Sequence, residues 1–284
     1  MNRPTPLQSI SFPRSGFHLL MRHVMDYFGE PWRWCDNNQC CQDIPCQQAH
    51  TILQKNHDFT LNTPVVAGRP YVIQYRRPYP AICSWFELDF PERLTAGEVE
   101  AWHRFAVEKA LFFANLLARW SAIAPPSALF LPYERLMGDP GGWIQGLIAA
   151  MSPEPVDADR LAEVSANLSR VRLAPPKDMV HRGPEGRRPG ATRGTVTYWE
   201  AEGFKPRQDT GFPFHDPDHA RFLEQLASWQ AGCLVPEARR GRLALALRAA
   251  GIEPLDDLDI RQGPPPLVRA LVAQVKGPQA ARQQ

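Results

Sequence analysis

The chain has 284 residues, 44% hydrophobic and 22% charged, so it can bury a sizeable core and is not disordered throughout. Its 32 basic and 30 acidic residues leave a formal net charge of +2, which excludes a broad basic surface for nucleic acid or acidic lipid. Residues 1–9 are polar, and no uncharged apolar run approaches the ~20 residues that a membrane span needs. We therefore expect a cytoplasmic protein without a membrane span.

The first predicted unit is a strand, a tight loop and a helix. Residues 9–12 form a short strand, residues 13–16 form a turn, and apolar side chains then recur at helical spacing as far as Gly29. Backbone N–H groups at a helix N-terminus favour an anion, and Arg14 and Ser15 add a cation and a hydroxyl. The loop therefore predicts a phosphate cradle.

Further strands and helices alternate along the chain. Helical patterns, the clearest over residues 96–120, separate three predicted strands at residues 51–54, 71–75 and 128–131. Such alternation is typical of a parallel sheet covered by helices on both faces. We predict a three-layer α/β/α domain with a central parallel sheet over residues 1–235. A helical C-terminal extension with a disordered tail follows over residues 236–284.

Polar side chains stand just after each predicted strand. In strand order they are Arg14 and Ser15, then Lys55 and His57, then Arg76, and finally Tyr133 and Glu134. Ligands of open parallel sheets bind outside the carboxyl ends of the strands. We therefore expect these four distant segments to converge on one site.

Each constellation has a functional and an ordinary interpretation. Arg76 and Ser84 can hold one phosphate from two sides, or they can be a surface arginine and a helix-facing serine. His57 can accept a proton from an alcohol while Lys55 neutralises charge on a transferred group, although a lone histidine is more often structural. The Arg- and Gly-rich loop of residues 187–194 can wrap an anion or serve as a solvated linker.

Together these segments resemble the sulfotransferases that use 3′-phosphoadenosine 5′-phosphosulfate, in particular bacterial enzymes acting on small molecules or carbohydrates. Residues 11–16 resemble the 5′-phosphosulfate loop of that family. Arg76 with Ser84 resembles its 3′-phosphate motif, and Lys55-x-His57 resembles its catalytic Lys-x-His. Residues 132–140 resemble its Tyr-Glu-Asp-Leu…Asp-Pro segment, and Arg193-Gly194 with Trp199 resembles its late Arg-x-Gly…Trp element. The motifs keep the family order from residue 9 to about residue 200.

The resemblance implies a P-loop NTPase-like fold and a role for each matching residue. His57 would deprotonate the acceptor hydroxyl of a small molecule or glycan, Lys55 would neutralise the sulfuryl oxygens, and Arg14 would stabilise the leaving oxygen. No metal is required. The residues that would bind the nucleotide are Arg14, Ser15, Gly16, Phe17, His18, Arg76, Ser84, Tyr133, Arg193 and Gly194.

The departures from the family pattern keep other functions open. Arg14 stands where the family usually has a lysine, and it is a poor proton donor because its pKa lies above ~12. His18 stands where a threonine usually contacts the phosphosulfate. A non-catalytic protein that binds a nucleotide or anion is therefore one alternative. A P-loop phosphotransferase is another, although the chain lacks Gly-x-x-x-x-Gly-Lys-Ser/Thr.

Four of the six cysteines cluster near the predicted cradle. Cys35, Cys40, Cys41 and Cys46 have poor spacing for zinc, and disulfides are rare in cytosolic proteins. A metal site, a disulfide and ordinary buried or free thiols all stay open. The segment lies between the cradle and His57, and we expect it to form part of the wall of the acceptor pocket.

Overall fold

The computed structural model describes residues 3–37, 42–90, 98–168 and 212–269. The strands within these ranges are β1 (Leu7–Ser11), β2 (Arg33–Asp36), β3 (Thr51–Asn56), β4 (Tyr71–Tyr75) and β5 (Leu129–Pro132). The helices are α1 (Phe17–Phe28), α2 (Pro78–Asp89), α3 (Val99–Ile123), α4 (Tyr133–Gly138), α5 (Pro140–Met151), α6 (Ala158–Leu168), α7 (Pro217–Leu234), α8 (Arg240–Ala249) and α9 (Asp257–Arg261).

The described residues fall into two compact units. Met1–Arg76 and Ile123–Arg207 supply the first, and Arg77–Ala122 and Gln208–Gln284 supply the second. The sheet lies in the first unit. The boundary between residues 235 and 236 that the sequence suggests for a C-terminal extension stays a prediction.

The five strands form one parallel sheet in the order β2-β3-β1-β4-β5. Every residue of β1, β3 and β4 is buried, as expected for strands covered on both faces. Helices flank the sheet, since parallel neighbours can be joined only by long crossover connections. The predicted α/β class, with three layers and a central parallel sheet, is confirmed.

The strand order creates a crevice at the carboxyl edge of the sheet. β1 lies between β3 and β4. The chain leaves β1 for β2 on one side and leaves β4 for β5 on the other, so the loops after β1 and β4 diverge. A switch point of this kind is where open α/β sheets bind ligands.

In the first unit, the apolar stripe of α1 packs into the core. Helix α1 contacts β2, β3, α5 and α6. Fully buried side chains such as Leu20, Val24, Ile52 and Ile148 belong to one cluster, and burial of each aliphatic side chain of this size contributes about 1.5–3 kcal/mol. This packing holds the N-terminus of α1 at the carboxyl edge of β1.

The second unit is helical and has its own aromatic core. The ring of Trp102 is fully buried and lies 4.6 Å from the ring of Phe212 and 5.5 Å from the ring of Phe86, centroid to centroid. The Asp216 side chain caps α7 by accepting from the backbone N–H of Asp218. None of the helices in the described ranges combines the length and apolar character that a bilayer crossing requires.

The predicted strands differ from the observed ones in instructive ways. The strand predicted at residues 71–75 coincides with β4. The strand predicted at residues 51–54 continues to Asn56. Lys55 therefore lies within β3, whereas we expect it from the sequence to follow the strand. Strand β2 was not predicted, because its residues Arg-Trp-Cys-Asp show no apolar alternation. It forms by pairing with β3.

Candidate functional site

The loop after β1 forms an N-terminal cradle for an anion. Arg14 and Gly16 both have left-handed backbone, with φ of 65° and 80°, and this conformation turns the chain sharply into α1. Gly16 is the N-cap of the helix and has no side chain to bond the first-turn N–H groups. Its carbonyl oxygen accepts from the N–H of Leu19 and Leu20. The N–H groups that precede these two at the start of a helix have no intrahelical acceptor and can receive a negatively charged ligand.

Ser15 places a buried hydroxyl in this loop. The residue is 1% exposed, and its Oγ has no hydrogen-bond partner among the residues that the structure describes. The Ser15 carbonyl oxygen accepts from Gln74 Nε2 on β4 at 2.9 Å, and the Gln74 carbonyl oxygen accepts from the N–H of Phe12. The loop is therefore tied to β4, while one of its hydroxyls is left for a ligand. Leaving such a group unpaired costs about 1–3 kcal/mol.

Gly16 is required by its neighbour as well as by its φ. A Cβ at this position would lie 2.7 Å from Tyr133 Cδ2 and 3.1 Å from Leu136 Cδ2. Tyr133 opens α4 directly after β5, and it is buried. The backbone of the cradle and the ring of Tyr133 therefore touch, which joins the loop after β1 to the start of α4.

Arg76 completes this side of the site. Its guanidinium carbon lies 4.7 Å from the centre of the Tyr133 ring, a cation–π distance. Burial raises the pKa of the Tyr133 hydroxyl, and the charges of Arg76 and Arg14 partly oppose that rise. The charges of both guanidinium groups therefore act on one buried ring.

On the other side of β1, Lys55 forms a buried ion pair. Lys55 Nζ donates to Asp36 Oδ2 at 2.9 Å, and the two side chains are only 11% and 7% exposed. The ammonium group also lies 5.4 Å from the centre of the Phe17 ring at the start of α1. Asp36 is the last residue of β2, next to β3 in the sheet, so this pair results directly from the order of the strands.

The hydrogen bonds of His57 determine which of its nitrogens can act as a base. Its Nδ1 lies 2.6 Å from the Ser11 carbonyl oxygen, which can only accept, so Nδ1 carries the proton. Ser11 Oγ lies 3.2 Å from the same nitrogen. In the neutral ring, Nε2 then keeps its lone pair. This tautomer suits a group that accepts a proton at Nε2.

Two histidines in this cluster are neutral at pH 7. Burial and the nearby charge of Lys55 together lower the pKa of His57 to about 3, although the bond to Ser11 and the charge of Asp36 oppose the change. Burial also lowers the pKa of His18 to about 3, with Lys55, Arg14 and His57 acting in the same direction and Asp36 against it. Both imidazoles can therefore accept a proton or a hydrogen bond without adding charge to the resting site.

The segment after β3 is held by a side-chain network. Asn56 Nδ2 donates to Thr63 Oγ1 at 2.9 Å, Asp58 N donates to Asn56 Oδ1 at 2.8 Å, and Thr63 N donates to Asp58 Oδ1 at 2.9 Å. Phe59 is 49% exposed, and its ring lies 5.1 Å from the His57 ring. The network fixes the backbone on both sides of His57 and leaves an aromatic face beside it.

Most residues predicted for the site lie together in the first unit. Contacts link Gly16 to Tyr133, Tyr133 to Arg76 and Phe17 to Lys55. His57 bonds to Ser11, at the end of the strand that leads into this loop. Ser84 lies in the second unit, buried on α2, and its pairing with Arg76 stays a prediction. Arg193 and Gly194 lie outside the described residues, as does the whole loop of residues 187–194.

Sequence reasoning missed three polar residues of the site. Asp36 was missed because β2 was not predicted. The available signal was a carboxylate directly after the apolar pair Trp34-Cys35, a position where a short strand can end. Ser11 and Gln74 lie inside β1 and β4, where both are fully buried. Strand β1 carries three buried polar residues among its five, and β4 carries one buried glutamine. Buried polar groups in strands of a parallel sheet were a usable signal, since such groups need partners.

The cysteine cluster is described only in part. Cys35 is buried on β2, the Cys46 thiol donates to Thr51 Oγ1 at 3.7 Å, and Cys40 and Cys41 lie outside the described residues. Among the residues that are described, no group of three His, Cys, Asp or Glu side chains is arranged to hold a metal ion. The position of this segment in an acceptor pocket stays a prediction.

Comparisons with known proteins do not name a family. A scan against protein-family models and a search of curated proteins found no match.

Proposed function

We propose that this protein is a sulfotransferase that uses 3′-phosphoadenosine 5′-phosphosulfate and acts on a hydroxyl group of a small molecule or glycan. The main support is that four motifs, far apart in sequence, contact one another at the carboxyl edge of the sheet. The loop of residues 14–18 touches Tyr133, Tyr133 stacks with Arg76, and His57 bonds to Ser11 at the base of the same loop.

The residues of the cradle suit a nucleotide that carries two anionic groups. The buried and unpartnered Ser15 hydroxyl, the N-terminus of α1 and Arg14 fit a 5′-phosphosulfate. Arg76 would hold the 3′-phosphate, with Ser84, Arg193 and Gly194 as further candidates. The Tyr133 ring, beside Arg76, would contact the adenine. The resemblance suggests all of these assignments. For Arg14, Ser15, Arg76 and Tyr133, the contacts described above support them as well.

In the proposed chemistry, the proton of the acceptor hydroxyl moves to Nε2 of His57. The bound nucleotide supplies a sulfuryl group, whose bond to the 5′-phosphate oxygen breaks as a bond to the acceptor oxygen forms. His57 accepts the acceptor's hydroxyl proton at Nε2, while its Nδ1–H stays bonded to Ser11. Lys55 and Arg14 balance negative charge on the sulfuryl and leaving oxygens. The low pKa of His57 keeps it unprotonated at pH 7.

A second candidate function is binding of the same nucleotide without turnover. Two observations favour it: Lys55 is already bonded to Asp36, and Arg14 replaces the expected lysine. A silent protein would bind adenosine 3′,5′-bisphosphate and release none from the phosphosulfate with any acceptor.

The test combines calorimetric binding of adenosine 3′,5′-bisphosphate with an assay for its release in the presence of an acceptor panel. We expect His57→Ala to lower turnover by about 10²–10⁴-fold and leave nucleotide affinity nearly unchanged. Arg76→Met should instead weaken nucleotide binding at least tenfold, because it removes a charge-assisted contact. No binding by the unsubstituted protein at millimolar nucleotide contradicts the proposal, and equal behaviour of the two variants contradicts the assigned roles.

A further inference from the structure

The buried carboxylate of Asp36 has no role in the chemistry described above. It lies at the end of β2, one strand away from Lys55, and its Oδ2 accepts from Lys55 Nζ at 2.9 Å. Nothing in the resemblance assigns a function to this position. A charged residue placed beside a reacting lysine and almost out of contact with water needs a physical explanation.

Such a pair is a costly way to stabilise a fold. Both side chains are nearly buried, at 11% and 7% exposure, and the cost of removing two charges from water often exceeds their mutual attraction. Replacement of such a pair by well-packed apolar residues is often neutral or stabilising. Stability alone therefore does not account for the pair, and its effect on the lysine is the next property to consider.

Asp36 gives the Lys55 ammonium a fixed position. The flexible lysine side chain is held between the Asp36 carboxylate and the Phe17 ring, 5.4 Å away. Phe17 is the first residue of α1, so the ammonium lies against the side chain of the residue that opens this helix. Arg14 contributes a further positive charge to the same cluster, since it acts electrostatically on His18 together with Lys55. Without a carboxylate, these like charges would drive the lysine away from the cradle.

The Asp36 carboxylate also acts on both imidazoles of the site. Its charge opposes the fall in the pKa of His57 and of His18, whereas the charge of Lys55 promotes it. The pKa of His57 responds to Lys55 and Asp36 at the ends of β3 and β2 and to the Ser11 carbonyl oxygen on β1, and His57 acts in turn on His18. One carboxylate therefore reaches the lysine, the base and the first turn of α1.

We propose that Asp36 is a positioning residue that holds the Lys55 ammonium beside the anion cradle so that it meets the transferred group. This proposal rests on the sulfuryl transfer proposed above. It makes an unusual prediction, because Asp36→Asn makes the site more positive by one charge. Nucleotide affinity should then stay equal or increase, while turnover falls because the lysine is no longer held. A protein that was merely damaged would lose both.

The first readout needs no nucleotide. Trace acetylation of lysines in the ligand-free protein, quantified by mass spectrometry, reports how firmly Lys55 is held, with Lys109 as the internal reference. We expect Asp36→Asn to raise labelling of Lys55 relative to Lys109 at least threefold. The matched control is Asp26→Asn, which removes a carboxylate paired with Arg22 at 2.7 Å on α1 and should leave the ratio unchanged. An unchanged ratio in the Asp36→Asn protein overturns the proposal.

The second readout separates binding from turnover. Asp36→Asn should lower kcat about tenfold or more and leave the Kd for adenosine 3′,5′-bisphosphate within twofold of the unsubstituted protein, or tighter. A wild-type kcat, or a parallel loss of kcat and affinity, overturns the proposal. The absence of nucleotide binding in the unsubstituted protein contradicts the proposed function instead, and the labelling ratio still decides whether Asp36 holds Lys55.

A double variant keeps the test valid where the unpaired lysine prevents folding of the Asp36→Asn protein. Lys55→Met lowers kcat by itself, and the added Asp36→Asn removes the remaining buried charge. If Asp36 acts through Lys55, the double variant should match Lys55→Met in kcat within twofold. A further drop means that Asp36 acts independently of Lys55 and overturns the proposal.

Discussion

Replacing Gly16 with alanine tests the contact that joins the cradle to the start of α4. Alanine at φ of 80° adopts the left-handed conformation, which costs about 1–2 kcal/mol. Its Cβ would also lie 2.7 Å from Tyr133 Cδ2, closer than carbon atoms can approach. The Tyr133 ring is buried and Arg76 lies over it, so the ring cannot move away freely. Overpacking of this kind adds about 1–3 kcal/mol.

A second glycine separates these two costs. Gly68 has φ of 71°, and a Cβ there meets nothing within 4 Å. Gly68→Ala should therefore show the backbone cost alone, about 1–2 kcal/mol, whereas Gly16→Ala should cost about 2–5 kcal/mol in total. Equilibrium unfolding in urea measures both free energies. In a Tyr133→Ala background, the cost of Gly16→Ala should fall toward that of Gly68→Ala, because only the 3.1 Å approach to Leu136 Cδ2 then remains.

The functional consequence can be measured on the same proteins. Displacing the backbone at residue 16 moves the N–H groups that would face the nucleotide, so Gly16→Ala should weaken binding of adenosine 3′,5′-bisphosphate at least tenfold, while Gly68→Ala should not change it. If Gly16→Ala costs no more free energy than Gly68→Ala, or if the Tyr133→Ala background makes no difference, the packing argument is wrong.

Two further predictions concern buried polar groups. Ser15→Ala should raise the free energy of unfolding of the ligand-free protein by about 1 kcal/mol, because it removes an unpartnered hydroxyl, and yet weaken nucleotide binding. Ser9→Ala removes another such hydroxyl from β1 and should stabilise without affecting binding; equal affinities in the two variants would contradict the role of Ser15. Burial lowers the pKa of His23 to about 4, against a bond to the Leu19 carbonyl oxygen. The His23 imidazole is therefore protonated more readily in the unfolded chain than in the folded one. The stability that the neutral ring contributes is complete above pH 6.5 and is lost as the pH falls toward 4. Urea unfolding should show a loss of about 2 kcal/mol between pH 7.5 and pH 5 from this residue, and an equal pH dependence in His23→Leu would count against burial as the cause.

Much of the architecture could be predicted from local patterns. Strand β4 and the alternation of strands with helices could be predicted from side-chain types and apolar spacing, because these local features favour one backbone conformation over another. Strand β2 could not be predicted, because Arg33–Asp36 has no pattern of its own and forms only when β3 lies beside it. The extension of β3 through Lys55 was missed for a similar reason, since polar residues at a strand end are ambiguous until their neighbours are known.

The sequence by itself determined the chemistry available to this protein: a cation and a hydroxyl in a glycine turn, Lys55 and His57 at one strand end, and Arg76 and Tyr133 at two others. Only the tertiary structure decided how these groups are used. The order of the strands brought Asp36 to Lys55 and Ser11 to His57, across 19 and 46 residues of chain, and the return of the chain through β5 placed the Tyr133 ring against Gly16. Such pairings depend on which strands become neighbours, and that choice is made by burial of the whole core rather than by any local segment.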